Sequence, residues 1–560
     1  MPRLLPIGVL ILSSVAYYYY NAYINPIKPN IDPIFRRQQI ESVILDSWRD
    51  YKLNGWDKDV YHPLNPHTSQ NMPKSGQPLG WIIVDALDTL LYVDSFTIDP
   101  TIKSNVQIEL QDIAKWCADT LDYDLDAEVN IFETTIRMLG GLLSSYHLIE
   151  SANSSTTTLD SSIFLNKAID LAERMVPAFN QTETGIPYSS INLHTGVAVK
   201  NHVDMGASST AEFTTLQLEF KYLSIVTGND KYWKLVESVY EPLYKNNNLL
   251  TSYNGLIPIY TFPDTGNFLG QNIRFGSRGD SFYEYLLKQY LLTHEPLYYE
   301  LYRHSIDGMK RHLLKTSKPN GLVYIAERPS GLNQIHSSKM DHLVCFMGGL
   351  MAMGATEGLP LSKARTMSWW DNTREEDFMI AQELTYTCYQ MYAQTPTGLA
   401  PEIVVFNDRG SAEYTEFHSI NSEWWTCPSG DFAIKPLDAH NLQRPETVES
   451  LMFLYHLTKD SQYRQWGAEI LDSFIKHTCI NCDDPDTITY TSLHNVIDIP
   501  TDKKDNVESF WIAETLKYLY LLFQDEVDLT KDIFNTEAHP FPAMNPERLK
   551  ELNLTTGWSI

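Results

Sequence analysis

Four turn signals recur along the middle of this chain: Gly185-Ile186-Pro187, Gly255-Leu256-Ile257-Pro258, Gly321-Leu322-Val323 and Gly398-Leu399-Ala400-Pro401. Their first glycines lie 70, 66 and 77 residues apart. A second mark, a threonine followed five residues later by a tyrosine, recurs at Thr227 and Tyr232, Thr293 and Tyr298, and Thr458 and Tyr463. A period of about 70 residues holds two helices with their connections. Tandem helical hairpins of this kind stack into a solenoid or close into a ring. The segments RGDSFYEYLLKQYLL and VESFWIAETLKYLYLLF are apolar nearly all round, so they need cover on more than one side, which favours a ring. In NIFETTIRMLGGLLSSYHL the residues Phe132, Ile136, Leu139, Leu143 and Tyr146 form one apolar helical face. No Pro/Gly/Ser-rich linker divides the array. The expected fold is all-α, one large domain over residues 33–560.

The composition agrees with a packed core. Of 560 residues 43% are hydrophobic and 12% aromatic, which offsets the ordering entropy and excludes intrinsic disorder. The formal net charge is −27 with no long basic run, so no nucleic-acid partner is expected. Six cysteines are too few for a small disulfide scaffold but allow one or two bridges. At the N-terminus, Leu4–Ile24 runs 21 residues without a charge, close to the roughly 20 of a membrane-spanning helix. Tyr17 to Tyr20 suit the membrane–water interface. Residues 1–3 read as a short cytosolic tail, 4–24 as a signal-anchor helix and 25–32 as a stem, with the remainder in the lumen: a single-pass type II protein. A cleaved signal peptide, with Ser14 and Ala16 near the cleavage point, is the alternative. The sequons at Asn153, Asn180 and Asn553 suit a lumenal chain.

Carboxylates inside apolar helices carry the functional signal, because a buried one costs several kcal/mol unless it is paired, hydrogen-bonded or protonated. Glu133 in IFETTIR stands four residues before Arg137, where an exposed ion pair is the plain explanation. Asp280 and Glu284 lie in SRGDSFYEY, where Ser281 and Glu284 match a capping box. Glu446 and Glu449 follow Pro445 in RPETVES, where acids complement a helix dipole. Glu219 in QLEF and Glu514 in IAETLKY have apolar neighbours on both sides and fit a surface poorly. Together these acids point into a shared cavity. Glycoside hydrolysis needs such a set, one carboxyl protonated for the leaving oxygen and one ionised as base or nucleophile. Neighbouring negative charges keep one proton in place, and a hard cation with oxygen ligands can balance the excess. There is no phosphate-binding G-x-x-x-x-G-K-[ST] loop, no H-E-x-x-H zinc motif and no D-x-D-x-D-G calcium loop. The single C-x-x-C, Cys479 to Cys482, lacks a second pair for zinc and reads as a small structural disulfide loop.

Read in order, the segments ESVILDSWRDY, QPLGWIIVDALDTLL, FETTIRMLGGLLSSYHL, GIPYSSINL, FGSRGDSFYEYLLKQYLL, KMDHLVCFMGG, LAPEIVVFND, RPETVESL, SFWIAETLKYLYLLF and NTEAHPF resemble the class I α-1,2-mannosidases, glycoside hydrolase family 47. The resemblance runs from about Ile40 to the C-terminus and is strongest to the endoplasmic-reticulum branch. It implies an (α/α)7 barrel in the lumen of the endoplasmic reticulum, tied to its membrane by the N-terminal anchor. It also implies inverting hydrolysis of terminal α-1,2-linked mannose in high-mannose N-glycans, trimming one middle-arm mannose from Man9GlcNAc2.

Carried over by residue, Glu133 would be the general acid, Glu446 the general base and Asp280 a third essential carboxylate. Thr536 would be the direct protein ligand of one Ca2+, with waters held by Glu449 and Glu514, and the ion would bind the sugar's 2- and 3-hydroxyls. Arg137, Glu219, Glu284, His342, Glu402 and Phe510 would be further pocket residues, Phe510 against the sugar face. Arg278 would restrict trimming to one branch, since a guanidinium makes several fixed hydrogen bonds to hydroxyls. The resemblance also implies disulfides Cys345–Cys388 and Cys479–Cys482, leaves Cys117 and Cys427 unpaired, and suggests a monomer. A mannosidase-like lectin would share the barrel, but the end at LTTGWSI soon after NTEAHPF is read against it. A helical scaffold would leave the buried acids unexplained.

Overall fold

The computed structural model describes residues 31–152 and 159–560. The segment expected to be an anchor at 4–24, with the tail and most of the stem, lies outside the described residues, as does Asn153.

The repeat resolves into helical hairpins whose first members form an inner ring. In chain order these are Trp81–Phe96, Thr134–Leu139 continued by Gly140–Ser151, Gln217–Thr227, Asp280–Thr293, Met347–Thr356, Glu446–Thr458, and Trp511–Leu516 continued by Lys517–Leu522. Each packs on the next, and the last packs back on Trp81–Phe96, so the ring closes. The outer helices are Pro100–Asp119, Ser161–Met175, Lys231–Glu237, Pro296–His312, Asn372–Ala393 and Ser461–Thr478. The first described helix, Pro33–Asn54, covers the last inner one. Among the described residues this makes seven hairpins, an (α/α)7 barrel.

Both sequence marks have a physical origin. Each Thr of the Thr–Tyr mark ends an inner helix: Thr227, Thr293 and Thr458 donate to the carbonyl four residues back and accept the N–H two residues on. The residue after each is left-handed, Gly228, His294 and Lys459, which turns the chain outward. The paired tyrosines are buried at the start of the outer helices. The repeat glycines open the return path. Gly255 has φ +77°, and a Cβ there would lie 2.7 Å from the His304 backbone, so only glycine fits. Gly185, Gly321 and Gly398 share the positive φ.

The return connections carry strands of two to four residues, all paired antiparallel. The largest sheet orders Trp425–Thr426, Phe432–Ile434, Ile403–Phe406 and Lys339–Asp341, and Asp341 leads straight into His342. Among the described residues His342–Ala364 is the one stretch long and apolar enough to cross a membrane, at mean hydropathy 1.3. It is 78% buried inside the barrel, as a core helix is. Cys345–Cys388 bridges the approach to Met347–Thr356 and the outer helix beside it, and Cys479–Cys482 closes a short loop. Cys117 and Cys427 are buried thiols. Asn180 and Asn553 are exposed.

The ring is plugged along its axis by a C-terminal hairpin, Asp532–Phe534 with Pro540–Pro542. Its base meets the C-terminal ends of inner helices, through His147 to Asp532 and Met544 N–H to the Leu292 carbonyl. Its tip, Asn535 to His539, is buried near the opposite end, where Asn535 donates to the Ile136 carbonyl.

Candidate active site

The inner helices start at one end of the barrel, and their first residues wall a cavity of about 310 Å³. Glu133 precedes the π-helical turn Thr134–Leu139, and its N–H is capped by the Asn130 side chain at 3.0 Å. Asp280 and Glu446 are the first residues of their helices. Phe510 precedes a second π-helical turn, Trp511–Leu516, which holds Glu514. Helix N-termini favour negative charge, and π-helical turns concentrate at functional sites. Glu133, Arg137, Arg278, Asp280, Glu284, Glu446, Glu449, Phe510, Glu514 and Thr536 all line this cavity. Glu219, His342 and Glu402 stand behind the wall, each touching a residue that lines the cavity or shapes it.

The carboxylates differ in their neighbours. Burial works to raise the Glu446 carboxyl, but its hydrogen bond with His342 Nδ1 at 2.7 Å and the Arg444 guanidinium outweigh it and hold it below its ordinary range. Arg444 is itself held by Glu402 at 2.5 Å. Asp280 has the opposite balance. Burial, reinforced by the charges of Glu284 and Asp341, pushes it up to about 7, against a hydrogen bond from the Ser281 N–H and the charge of Arg274. Glu133 pairs with Arg137 Nε at 3.0 Å, as the i,i+4 spacing suggests, but inside the cavity wall. Arg137 also meets Glu537 and, at 3.5 Å, Asp85, and its guanidinium stacks 5.6 Å from Trp81 and 5.7 Å from Phe510. The capping box considered for Ser281 and Glu284 does not form: the Glu284 carboxylate meets Lys288 Nζ instead. Arg278 sits at the rim with φ +73°, its Nη1 3.0 Å from Asp204 and its guanidinium over Tyr260. For an arginine this left-handed backbone is strained, and the surrounding contacts hold it there.

Around Thr536 the donors are all oxygens. Glu284, Glu449, Glu514 and Glu537 line the same cavity. Burial and neighbouring acids push Glu449 up to about 8, and Glu514 and Glu537 well above the carboxylate range. Lys288, Arg137 and Arg444 are too few to offset this set. Among the described residues no three His, Cys, Asp or Glu side chains are grouped to hold a metal directly. Carboxyls this costly to ionise on their own, set around a threonine with two oxygen donors, fit a hard cation that would favour their ionised forms and be bound partly through water.

The tip that carries Thr536 is rigidly held. Asn535 Oδ1 accepts the N–H groups of Glu537 and His539 at 2.8 Å, and its amide reaches Glu219 at 2.7 Å. Glu219 also accepts from Tyr285 at 2.7 Å, its other oxygen has no hydrogen-bond partner among the described residues, and burial pushes it up to about 7. Beneath the tip His539 bridges Asp85 at 3.0 Å and Asp88 at 2.7 Å, and Lys517 meets Asp88 at 2.7 Å, all fully buried. Asp85, Asp88, Lys288, Lys517, Glu537, Glu212 and Arg444 were not singled out from the sequence. Asp85 and Asp88 in WIIVDALDTLL, Lys288 in YLLKQYLL and Lys517 in ETLKYLYLL carry the same signal as the acids that were, a charge inside an apolar run.

A family model described as glycosyl hydrolase family 47 matches residues 43–543. The endoplasmic reticulum mannosyl-oligosaccharide 1,2-alpha-mannosidase of Saccharomyces cerevisiae is 58% identical, over 99% of this chain and 98% of its own length. The mannosyl-oligosaccharide 1,2-alpha-mannosidase of Candida albicans is 48% identical, over 93% of this chain and 85% of its own. Among solved structures, an alpha-1,2-mannosidase from Trichoderma reesei superposes with a TM-score of 0.73 at 24% identity, covering 91% of this chain and 99% of that one, which supports the fold.

Proposed function

The chain belongs to glycosyl hydrolase family 47, and on that premise we propose how its carboxylates carry out the family's chemistry. It is a glycosidase, a mannosyl-oligosaccharide 1,2-alpha-mannosidase of endoplasmic-reticulum N-glycan processing, as its near relatives are named. The finer reading is removal of one middle-arm mannose from Man9GlcNAc2 to give Man8GlcNAc2, with inversion, by a single lumenal domain over residues 33–560. The chain would act as a monomer, anchored type II through residues 4–24.

The observation that supports this reading is geometric: Glu133, Asp280 and Glu446 line one cavity, with Glu446 hydrogen-bonded to His342 at 2.7 Å. Glu446, kept ionised by His342 and Arg444, takes a proton from the attacking water. Glu133, carried over from the family, protonates the leaving oxygen. A second assignment has an observation of its own: Asp280, pushed up to about 7, keeps a proton near neutral pH and can serve as that acid. Phe510 offers an aromatic face to the sugar, and Arg278 holds the branch that is not cleaved. Thr536 would hold Ca2+, with Glu449 and Glu514 orienting its waters, and the ion would neutralise the buried acids and bind sugar hydroxyls.

Three amide variants test the roles. Glu446→Gln is expected to lower kcat by about 100-fold or more, the ordinary contribution of a general base, with little change in KM. Glu133→Gln and Asp280→Asn then decide the acid, since only loss of the true acid falls less for substrates with a good leaving group. Full activity of Glu446→Gln would overturn the reading.

A further inference from the structure

Behind the base stands a closed group of three side chains. His342 Nε2, the nitrogen facing away from Glu446, lies 2.9 Å from the Tyr392 hydroxyl and 3.0 Å from the Thr447 hydroxyl. Both hydroxyls therefore converge on this one nitrogen. All three residues are buried, and among the described residues neither hydroxyl has a further partner.

Counting protons in this triangle decides the tautomer. Each hydroxyl has one proton that needs an acceptor. If Nε2 carried a hydrogen, the triangle would hold three donors and only the two hydroxyl oxygens as acceptors in a chain, and one buried O–H would be left with nowhere to donate. An orphaned buried donor costs the full desolvation of that group. If Nε2 is bare, its lone pair is an acceptor within reach of both hydroxyls, and neither is left facing a donor. Burial beside the Glu446 charge holds the Tyr392 phenol well above its ordinary range, so it remains a donor.

We infer that Tyr392 and Thr447 are positioning residues that hold His342 in the tautomer with its hydrogen on Nδ1, so that this hydrogen points at Glu446. His342 then acts only as a donor to the base. It orients the carboxylate and stabilises its charge, and on the side facing Glu446 it offers no lone pair that could take the proton Glu446 removes from water. The backbone supports this: Tyr392 lies one helical turn beyond Cys388, and His342 three residues before Cys345, so the Cys345–Cys388 bridge ties together the segments that carry the contact. Nothing in the sequence patterns around Tyr392 signals this role, because the three residues come from separate parts of the chain. The inference rests on the reading of Glu446 as base.

The two hydroxyls are redundant as donors to Nε2, which gives the test a distinctive form. Tyr392→Phe and Thr447→Val should each lower kcat about two- to threefold, since the surviving hydroxyl still donates. The double variant should lose roughly 30-fold or more in kcat, well beyond the product of the singles, with KM unchanged. The tautomer is read directly in the unmutated full-length chain by 15N NMR of labelled histidine, with the His342 signals identified by their absence in His342→Gln. A bare Nε2 and a protonated Nδ1 are expected. A hydrogen on Nε2 overturns the inference, whether or not the variants fold, and so does a double variant no worse than the two singles multiplied. If Glu446→Gln keeps its activity, the base assignment and this inference fall together; if it is inactive while the double variant is unimpaired, only the inference falls.

Discussion

Glu446 and Asp280 place the same helix position in two opposite environments. Both begin an inner helix, where the dipole favours a carboxylate. Glu446 faces His342 and Arg444 and loses its proton readily, whereas Asp280 is buried beside Glu284 and Asp341 and keeps its own up to about 7. If Asp280 is the acid, kcat/KM falls as pH rises through about 7; a rate that stays level to pH 9 would assign the proton elsewhere. Arg278 offers a separate test at this scale. Arg278→Leu removes the guanidinium that Asp204 and Tyr260 hold at the rim, and glycan digests are expected to proceed past a single mannose. An unchanged product pattern would remove Arg278 from branch selection. Glu219 and Glu514 stood out in the sequence because an acid in an apolar helix needs an explanation, whereas Glu133 and Glu446 had ordinary explanations and drew their roles from the family resemblance. The partners His342 and Glu537 did not stand out, because they come from distant segments and such contacts leave no local trace; Arg444 is only two residues from Glu446, but a basic residue before Pro445 carries no signal of its own.

At the scale of elements, the repeated corners were legible because the same backbone geometry demands the same residues: a threonine to close an inner helix, and a glycine with positive φ to begin the return. Four of the returns carry that glycine. The return after Ser461–Thr478 does not, since Asn481, at φ +54° inside the Cys479–Cys482 loop, makes the left-handed step there, and the mark is lost from the sequence. Gly255→Ala should destabilise the protein by about 2 kcal/mol or more through the positive φ and the His304 backbone, measured by denaturant unfolding. A cost near zero would show that the return loop relaxes freely. The C-terminal hairpin was legible only as a motif. Its course down the barrel axis depends on Asn535, whose side chain bonds the tip to itself, to Ile136 and to Glu219. Asn535→Ala is expected to cost about 2–4 kcal/mol of stability and to weaken calcium binding at the adjacent Thr536, read by thermal melting with and without the ion.

For the whole molecule, the net charge of −27 has two components. Most of it is solvated surface. The remainder, centred on Glu449, Glu514 and Glu537, is buried at the barrel's heart, where it holds protons that the unfolded chain would release. A carboxyl raised in the fold binds more protons folded than unfolded, so cation-free stability should fall as pH rises from the ordinary glutamate range, about 4.3, toward about 8, where Glu449 is held. Asp85, Asp88 and Glu446, held low, act in the opposite direction, their contribution being lost only as pH falls below the ordinary carboxylate range. Calcium should therefore raise the melting temperature more at pH 8 than at pH 5, and a chelated protein that melts higher at pH 8 than at pH 5 would contradict this. Beside these buried acids, Glu446 would activate a water for single displacement at a mannosidic carbon. This is tested most directly by NMR of Man9GlcNAc2 during digestion by the full chain with calcium present. The first sugar released should be β-mannose, from one middle-arm site. Release of α-mannose, or no release at all, would contradict it.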